Sequence, residues 1–397
     1  MSSLTPPSDV IHVPSWFQPL DQPYMRDPSA ALERARDEIG EFFYSDALHA
    51  YVVLGYEEIV RVLMDNDKFS RFGDGQRIPE KYRDAAPTLG YLRDLMVISD
   101  PPQHTNTRRM MSEQFRPVKI NALADGIDSA ANELIDTFIG RGSCELMGEY
   151  AYALTYRTLA LLLDVPRSEF PRLTVLARDT VALIGDALQP IQEPDFSATW
   201  DRWMDARGYL EGLVAERAEN SGDDLISLCA RNLGNPGAPT VDKIVTDMCG
   251  MIAAGADTTA LTIAHGAALL SEFPHQLAVL SDDPSLWQNG VEELMRRHGS
   301  IPAVVRVATT DAEIQGVRVP VGASVVCYLA SGSADAEHFA GPIGAPLGRL
   351  QARIGVRALF DRIPEIRPKH EQHLHYTGTI VVPALRSYDF EWDVIPM

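Results

Sequence analysis

The chain has 397 residues, of which 45% are hydrophobic and 23% are charged, with a mean hydropathy of -0.10 and a formal net charge of -20. This composition is typical of a globular protein with a core of substantial size. The negative charge repels nucleic acids and anionic membranes, so neither is an expected partner. The sequence has no apolar run of membrane-spanning length and no secretion-signal pattern at its start, so we expect a cytoplasmic protein.

The predicted elements change in character along the chain. The apolar stretch AYVVLGY, at 50–56, predicts short strands before a helix over 57–66. The pattern is then mostly helical to about residue 300, and the longest helical run covers 240–273. Alternating strands, one further helix and the closing strands of HYTGTIVVPALRSYDFEWDV follow. We therefore predict one domain over 1–397, mainly α with small β elements (α+β).

The longest helical run contains AAGADTTA, at 253–260. Gly255 in a helix interior destabilises the helix by roughly 1 kcal/mol relative to alanine, which requires a compensating role. The Thr258 hydroxyl can bond to a carbonyl one turn earlier and open the helix locally. Two interpretations stay open for this stretch: a packing glycine with solvated polar neighbours, or a functional notch with the Asp257 carboxylate beside it.

Three other short motifs carry charged or ionisable groups. SDPPQHTNTRRM places His104 and Arg108 four residues apart at the start of a predicted helix. VEELMRRHGS places Glu293 and Arg296 on one helix face, and AVVRVATTD places Arg306 on a predicted strand. Each motif alone is explained by solvated ion pairs or by an arginine that reaches the edge of a sheet.

The cysteines are widely spaced and form no metal-binding pattern. Most of them lie in apolar stretches, which predicts buried thiols rather than ligands or disulfides. The four positions are Cys144, Cys229, Cys249 and Cys327.

Taken together and in this order, these motifs resemble those of the cytochrome P450 family of haem-thiolate monooxygenases, in the form found in soluble bacterial members. The resemblance runs from YVVLGYEEIVRVLMDNDKFS to IVVPALRSYDFEWDV. It implies a P450-like fold in which His104 and Arg108 contact one haem propionate and Arg306 contacts the other. It also implies that Asp257 and Thr258 handle oxygen and its protons.

The same resemblance gives Glu293 and Arg296 a structural role on the proximal side of the haem. It also shows where the chain departs from the family. GAPLGRLQARIGVRALFDRIPEI is similar to the helix that follows the cysteine loop, but no cysteine follows Cys327. The resemblance thus implies that the loop and part of the preceding meander are deleted. His338 lies nearest in sequence to the gap, where a partly exposed side chain is the more common role than iron ligation.

Three functions remain open at this point. The first is a haem-free helper that binds a partner protein, for example a glycosyltransferase, in bacterial natural-product metabolism. The second is a haem-free enzyme that uses the vacated pocket for a hydrophobic small molecule. The third is a truncated or degraded monooxygenase, for which haem would be the cofactor and ferredoxin the electron donor. The missing cysteine implies that thiolate-ligated haem, and metal coordination by it, are absent.

Overall fold

The computed structural model describes residues 16–71, 94–188, 196–231, 233–235, 239–333, 345–370, 372–378, 380–381 and 383–394. His338, for which a partly exposed side chain is expected, and the junction at 341–344, where the resemblance places the deletion, lie outside the described residues. The architecture is mainly helical with small sheets, which confirms the predicted fold class.

Helices form most of the described fold, as the hydrophobic periodicity predicts. In chain order they are α1 (Gln22–Arg26), α2 (Ser29–Glu38), α3 (Tyr56–Met64), α4 (Gln103–Met111), α5 (Pro117–Asn121), α6 (Ala124–Asp136), α7 (Ala153–Leu163), α8 (Phe170–Leu188), α9 (Phe196–Glu219), α10 (Leu225–Ala230), α11 (Val241–Glu272), α12 (Pro274–Asp282), α13 (Trp287–Arg297), α14 (Leu329–Ser333) and α15 (Ala345–Arg362). Single turns of 3-10 helix occur at Ile139–Arg141, Arg167–Glu169 and Pro284–Leu286, and a π-helical turn at Met147–Tyr152 precedes α7.

The 32-residue helix α11 is the centre of the helical part. Its first turn is fixed by Thr240, whose hydroxyl accepts a hydrogen bond from the Lys243 amide at 3.1 Å. Helices α7, α8, α9, α13 and α15 all pack against it. Glycines permit the closest approach of α15, because a Cβ at Gly355 would lie 2.8 Å from Leu154 and 3.4 Å from Ile263.

In the part of the chain that the structure describes, strands form four small sheets. They are β1 (Phe42–Ser45), β2 (Ala50–Val53), β3 (Phe69–Ser70), β4 (Ser143–Glu145), β5 (Val304–Ala308), β6 (Ala312–Ile314), β7 (Val317–Val319), β8 (Ser324–Cys327), β9 (Arg367–Pro368), β10 (Tyr376–Gly378), β11 (Pro383–Leu385) and β12 (Asp389–Glu391). The largest has the order β1-β2-β8-β5-β3, in which only β2 and β8 are parallel. The others pair β4-β12-β9, β6-β7 and β10-β11.

The five-stranded sheet is covered by apolar side chains on both faces. Tyr51 and Val53 belong to one buried cluster, whereas Val52 belongs to the other, as the two-residue period of a strand requires. On β5, Val304 packs with the first cluster, and Arg306 projects from the same face two residues later. The sheet therefore fixes the direction of this arginine. Among the described residues, no helix has the length and apolarity needed to cross a bilayer.

A polar contact in the interior joins α11 to the C-terminal sheets. The Nε2 atom of His265 lies 3.0 Å from the Tyr376 hydroxyl, and its ring centroid lies 5.4 Å from that of His298. Burial, and next the positive charge of His298, lower the pKa of His265 to about 3. The fold thus requires His265 to be neutral.

We predict that His265 makes the fold acid-sensitive. Its pKa lies below the unfolded-state value of 6.5, so its contribution is complete above pH 6.5 and is lost as the pH falls toward 3. The free energy of unfolding of the wild type should fall faster than that of His265→Gln over this range, by up to about 1.4 kcal/mol per pH unit. Urea denaturation at several pH values measures the two slopes, and parallel slopes would contradict the prediction.

Candidate functional site

One stripe of the central helix is left uncovered. Between residues 244 and 264 of α11, every residue is buried except Met251, Ala254, Gly255 and Thr258. Ala254, Gly255 and Thr258 follow Met251 by three, four and seven positions, so all four residues lie on one face of the helix. Ala254 is exposed even though it lies in the middle of the longest helix. We call this face the open stripe; Ala254 and Gly255 at its middle carry little or no side chain.

Thr258 uses its hydroxyl within its own helix. Its Oγ1 donates to the Ala254 carbonyl at 2.6 Å, which confirms the predicted bond to a carbonyl one turn earlier. Helix α11 nevertheless continues without interruption through this turn. The Thr258 carbonyl in turn accepts from Thr262 Oγ1 at 2.9 Å and from Ser300 Oγ at 2.6 Å. Ser300 thereby ties the segment before β5 to the open stripe.

Strand β5 begins four residues after Ser300 and carries Arg306, as the sequence predicts. One terminal nitrogen, Nη1, donates to the Val305 carbonyl at 3.0 Å. The Nε atom is buried and has no hydrogen-bond partner among the described residues. Burial, and next the positive charge of Arg71, lower the pKa of Arg306 to about 10. Both effects would be relieved by an anion.

Helix α4 carries His104 and Arg108 one turn apart, as predicted. His104 is half-buried, and burial is the main cause of its lowered pKa; Arg71, Arg108 and Arg306 lower the pKa further through their positive charges. Arg108 is exposed and makes no hydrogen bond or ion pair with any described residue. The structure therefore brings these two residues into one electrostatic environment with Arg306, about 200 positions later in the sequence.

Arg71 is a site residue that the sequence analysis missed. It follows β3, and its backbone amide donates to Asp100 Oδ1 at 3.0 Å. Its Nη1 donates to Asn66 Oδ1 at 3.1 Å and lies 3.4 Å from Asp100 Oδ1. No local spacing relates Arg71 to His104 or Arg306, because sheet pairing and the Asp100 contact bring them together. We call Arg71, His104, Arg108 and Arg306 the cation cluster.

The buried carboxylate of Asp247 fixes the segment that leads into α4. It is 1% exposed, contacts the Lys243 ammonium and accepts from the Met96 amide at 3.1 Å. Thr107, between His104 and Arg108 on α4, also donates to it. Burial raises the pKa of Asp247, whereas these donors lower it. Asp247 thus attaches one side of the cation cluster to α11.

Asp257 lies outside the open stripe. It is 5% exposed and accepts a hydrogen bond from Tyr152. Burial raises the pKa of this carboxyl, and the positive charges of Arg386 and Arg178 oppose that rise. The sequence pairs Asp257 with Thr258, but a helix separates successive side chains by about 100°. Asp257 therefore faces α7 and α8, whereas Thr258 lies on the stripe.

Glu293 and Arg296 bind each other, as their spacing predicts. Arg296 Nε donates to Glu293 Oε2 at 2.7 Å, and Nη2 donates to Oε1 at 2.6 Å. The hydrogen bond to Arg296 is the main cause of the lowered pKa of Glu293. The side chains are 36% exposed for Arg296 and 56% for Glu293, so this pair is solvated.

All four cysteines are buried, as predicted. Cys144, Cys229 and Cys249 lie in the helical core, and Cys327 lies in the sheet core. Burial raises the pKa of each thiol to about 12. Each therefore keeps its proton near neutral pH. Among the described residues there is also no cluster of metal-ligating side chains.

We predict that Asp247→Ala destabilises the fold by about 3 kcal/mol, because it leaves the Met96 amide, the Thr107 hydroxyl and the Lys243 ammonium without their acceptor. Asp247→Asn should cost less, since an amide oxygen can still accept. Urea denaturation measures both. Glu38→Ala is the control, because Glu38 is 49% exposed in its pair with Arg34; a loss below 1 kcal/mol for Asp247→Ala would contradict the prediction.

Glu293→Gln is expected to destabilise the fold by less than about 1 kcal/mol, because its ion pair is exposed. The matched comparison is Glu292→Gln. Glu292 pairs with Arg349 across two helices, and both side chains are less than 30% exposed. In thermal unfolding, the midpoint temperature of the Glu292 variant should be lower than that of the Glu293 variant. The reverse order would contradict the prediction, because the exposed Glu293–Arg296 pair would then stabilise the fold more than the Glu292–Arg349 pair.

Comparison with known proteins identifies relatives along most of the chain. No protein-family profile matches. The chain is 27% identical over 369 residues to the cytochrome P450 CYP107DY1 of Priestia megaterium, covering 85% of this chain and 88% of that protein. It is 28% identical over 375 residues to the cytochrome P450 monooxygenase PikC of Streptomyces venezuelae, covering 87% and 86%.

The fold has equally extensive matches among solved structures. The crystal structure of epothilone D-bound cytochrome P450epoK superimposes with a TM-score of 0.86, at 23% sequence identity, over 96% of this chain and 99% of that one. The chain therefore has the cytochrome P450 fold, and the sequence relatives named above are bacterial cytochromes P450.

Proposed function

We propose that this chain is a P450-derived binding protein whose function does not require haem and that does not activate oxygen. The observation that carries this proposal is the state of its thiols. Oxygen activation in the family depends on a cysteine thiolate that pushes electron density onto iron. Here every cysteine is buried in a core and holds its proton, and none follows Cys327 in the sequence.

Haem, the group that the family implies, fits one half of this site. The cation cluster offers three donors for two propionates: the buried Nε of Arg306, His104, and the guanidinium of Arg108, which has no partner among the described residues. The residues do not supply the iron ligand that haem requires in this family, because no thiolate is available beside the open stripe. We therefore assign no oxygen-handling step to Asp257 or Thr258, and we propose that their inherited positions now serve structure.

The finer proposal is a helper role in bacterial natural-product metabolism, in the cytoplasm. The large helical scaffold can present a surface to a biosynthetic enzyme, for example a glycosyltransferase, while the open stripe accommodates a hydrophobic small molecule. Glu293 and Arg296 stabilise the scaffold only weakly as an exposed pair. A partner of this kind should co-purify with the chain and gain activity from it.

A second candidate is a haem-dependent monooxygenase that has lost its cysteine segment. The retained cation cluster and the monooxygenase named among the relatives favour this alternative. In that case His104, Arg108 and Arg306 would hold the propionates, and ferredoxin would be needed only once haem is bound. The nucleotide sequence across residues 334–344 shows whether codons are missing from one strain or from the natural gene.

An absorbance spectrum of the purified protein tests the proposal. After reduction and addition of carbon monoxide, we expect no Soret band of the thiolate-ligated type, with or without added haem. Cys327→Ser should leave the spectrum unchanged, since this thiol is buried in the sheet core. A thiolate-type Soret band together with hydroxylation of a test substrate would overturn the proposed function.

A further inference from the structure

Helices α6 and α15 line a cleft with a volume of about 500 Å³, next to the turn at Pro284–Leu286. The cleft combines charged side chains from both helices with apolar groups, and it shares no residue with the open stripe or the cation cluster. Its apolar lining includes Ile354, Ala358, Pro284 and Trp287. A volume of this size is typical of small-molecule sites, in which a few polar groups fix the orientation of the ligand.

Helix α15 brings one unpaired arginine to this cleft. Three of the four arginines of the helix, Arg349, Arg357 and Arg362, each form an ion pair with a carboxylate. The fourth, Arg353, lines the cleft, is half-buried and makes no hydrogen bond or ion pair with any described residue. A guanidinium keeps its charge when it is partly buried, so Arg353 favours an anion in the cleft.

Helix α6 brings carboxylates without a cation to the same cleft. Asp125 and Asp128 are exposed and line it three residues apart. Asp125 makes no hydrogen bond or ion pair with any described residue, and Asp128 accepts from the neutral amide of Asn132 at 3.3 Å. Neither carboxylate pairs with Arg353, although opposite charges attract and all three side chains line one cleft. A space therefore separates the two signs of charge, and a ligand that carries both signs can bridge it.

The ligand that matches this arrangement has an anion at one end and a cation at the other. Arg353 presents a planar fork of N–H donors, which suits a carboxylate. Asp125 and Asp128 suit an ammonium group, and the apolar lining suits a hydrocarbon chain. We propose that this cleft binds a zwitterionic small molecule of the ω-amino acid class, with its carboxylate at Arg353 and its ammonium group at Asp125 and Asp128. This site goes beyond the proposed function, because it requires neither haem nor a thiolate.

Five probes test whether both charges of the ligand are needed. They are the unbranched ω-amino acids with four, six and eight carbons, hexanoate and hexylamine, each titrated into the full chain by isothermal titration calorimetry. We expect at least one ω-amino acid to bind with a dissociation constant of about 1 mM or below. Hexanoate and hexylamine should each bind at least about tenfold more weakly than that ω-amino acid, because each of them leaves one wall of the cleft without its partner.

Variants test whether the cleft is responsible. Arg353→Gln should weaken binding of the best ω-amino acid about tenfold, and Arg353→Lys should restore part of the loss, because it keeps the charge. The double variant Asp125→Asn/Asp128→Asn should weaken binding to a similar extent. Arg34→Gln and Glu38→Gln each remove one charge from an exposed pair elsewhere and should leave binding unchanged. Far-UV circular dichroism confirms that each variant is folded, and the double variant remains a test if Arg353→Gln does not fold.

Three outcomes would overturn this inference. The first is that no ω-amino acid of the series binds. The second is that hexanoate binds as tightly as the best ω-amino acid, since the carboxylate would then bind in a purely cationic site such as the cation cluster. The third is unchanged binding in folded Arg353→Gln and in the double variant. A thiolate-type absorbance spectrum with hydroxylation would overturn the proposed function and leave this inference standing.

Discussion

The burial of the central helix on all but one narrow face is the constraint on which the rest of the structure depends. Helices α7, α8, α9, α13 and α15 are among those that pack against α11, and its residues from 244 to 264 are covered except along the open stripe. Because the helix is so thoroughly buried, its few polar contacts can set the positions of distant elements. Asp247 fixes the approach to α4, and the Thr258 carbonyl fixes the approach to β5. The candidate site is the space between these two attachments.

Burial acts in opposite ways on the two kinds of ionisable group in this site. A guanidinium keeps its charge even when burial lowers its pKa, as for Arg306, so it continues to require an anion. A thiol loses its charge under the same desolvation, as for Cys327 on the neighbouring strand. The chain therefore keeps a buried cation that requires an anion, whereas the thiols packed in its cores hold their protons.

Local geometry explains what the sequence could predict. The bond from Thr258 to Ala254 and the Glu293–Arg296 pair follow from the pitch of a helix, and the position of Arg306 follows from strand alternation. Contacts between residues that are distant in the sequence could not be predicted in this way. Arg71 meets Asp100 through sheet pairing, and Asp257 turns toward Tyr152 because neighbouring helices, not its own sequence, decide which face is covered. The exposure of Glu293 agrees with the solvated ion pair that its motif alone predicts.

The last described strand has a consequence for how the chain folds during synthesis. Strand β12 pairs with β4, and the Tyr388 amide beside it donates to Glu145 Oε1 at 2.8 Å, 243 positions away. Contacts between such distant positions form late, because the long intervening chain must first be ordered. On the ribosome, the edge around Cys144 stays incomplete until strand β12 has emerged. The nascent chain therefore exposes this unpaired edge while the residues between β4 and β12 are being synthesised.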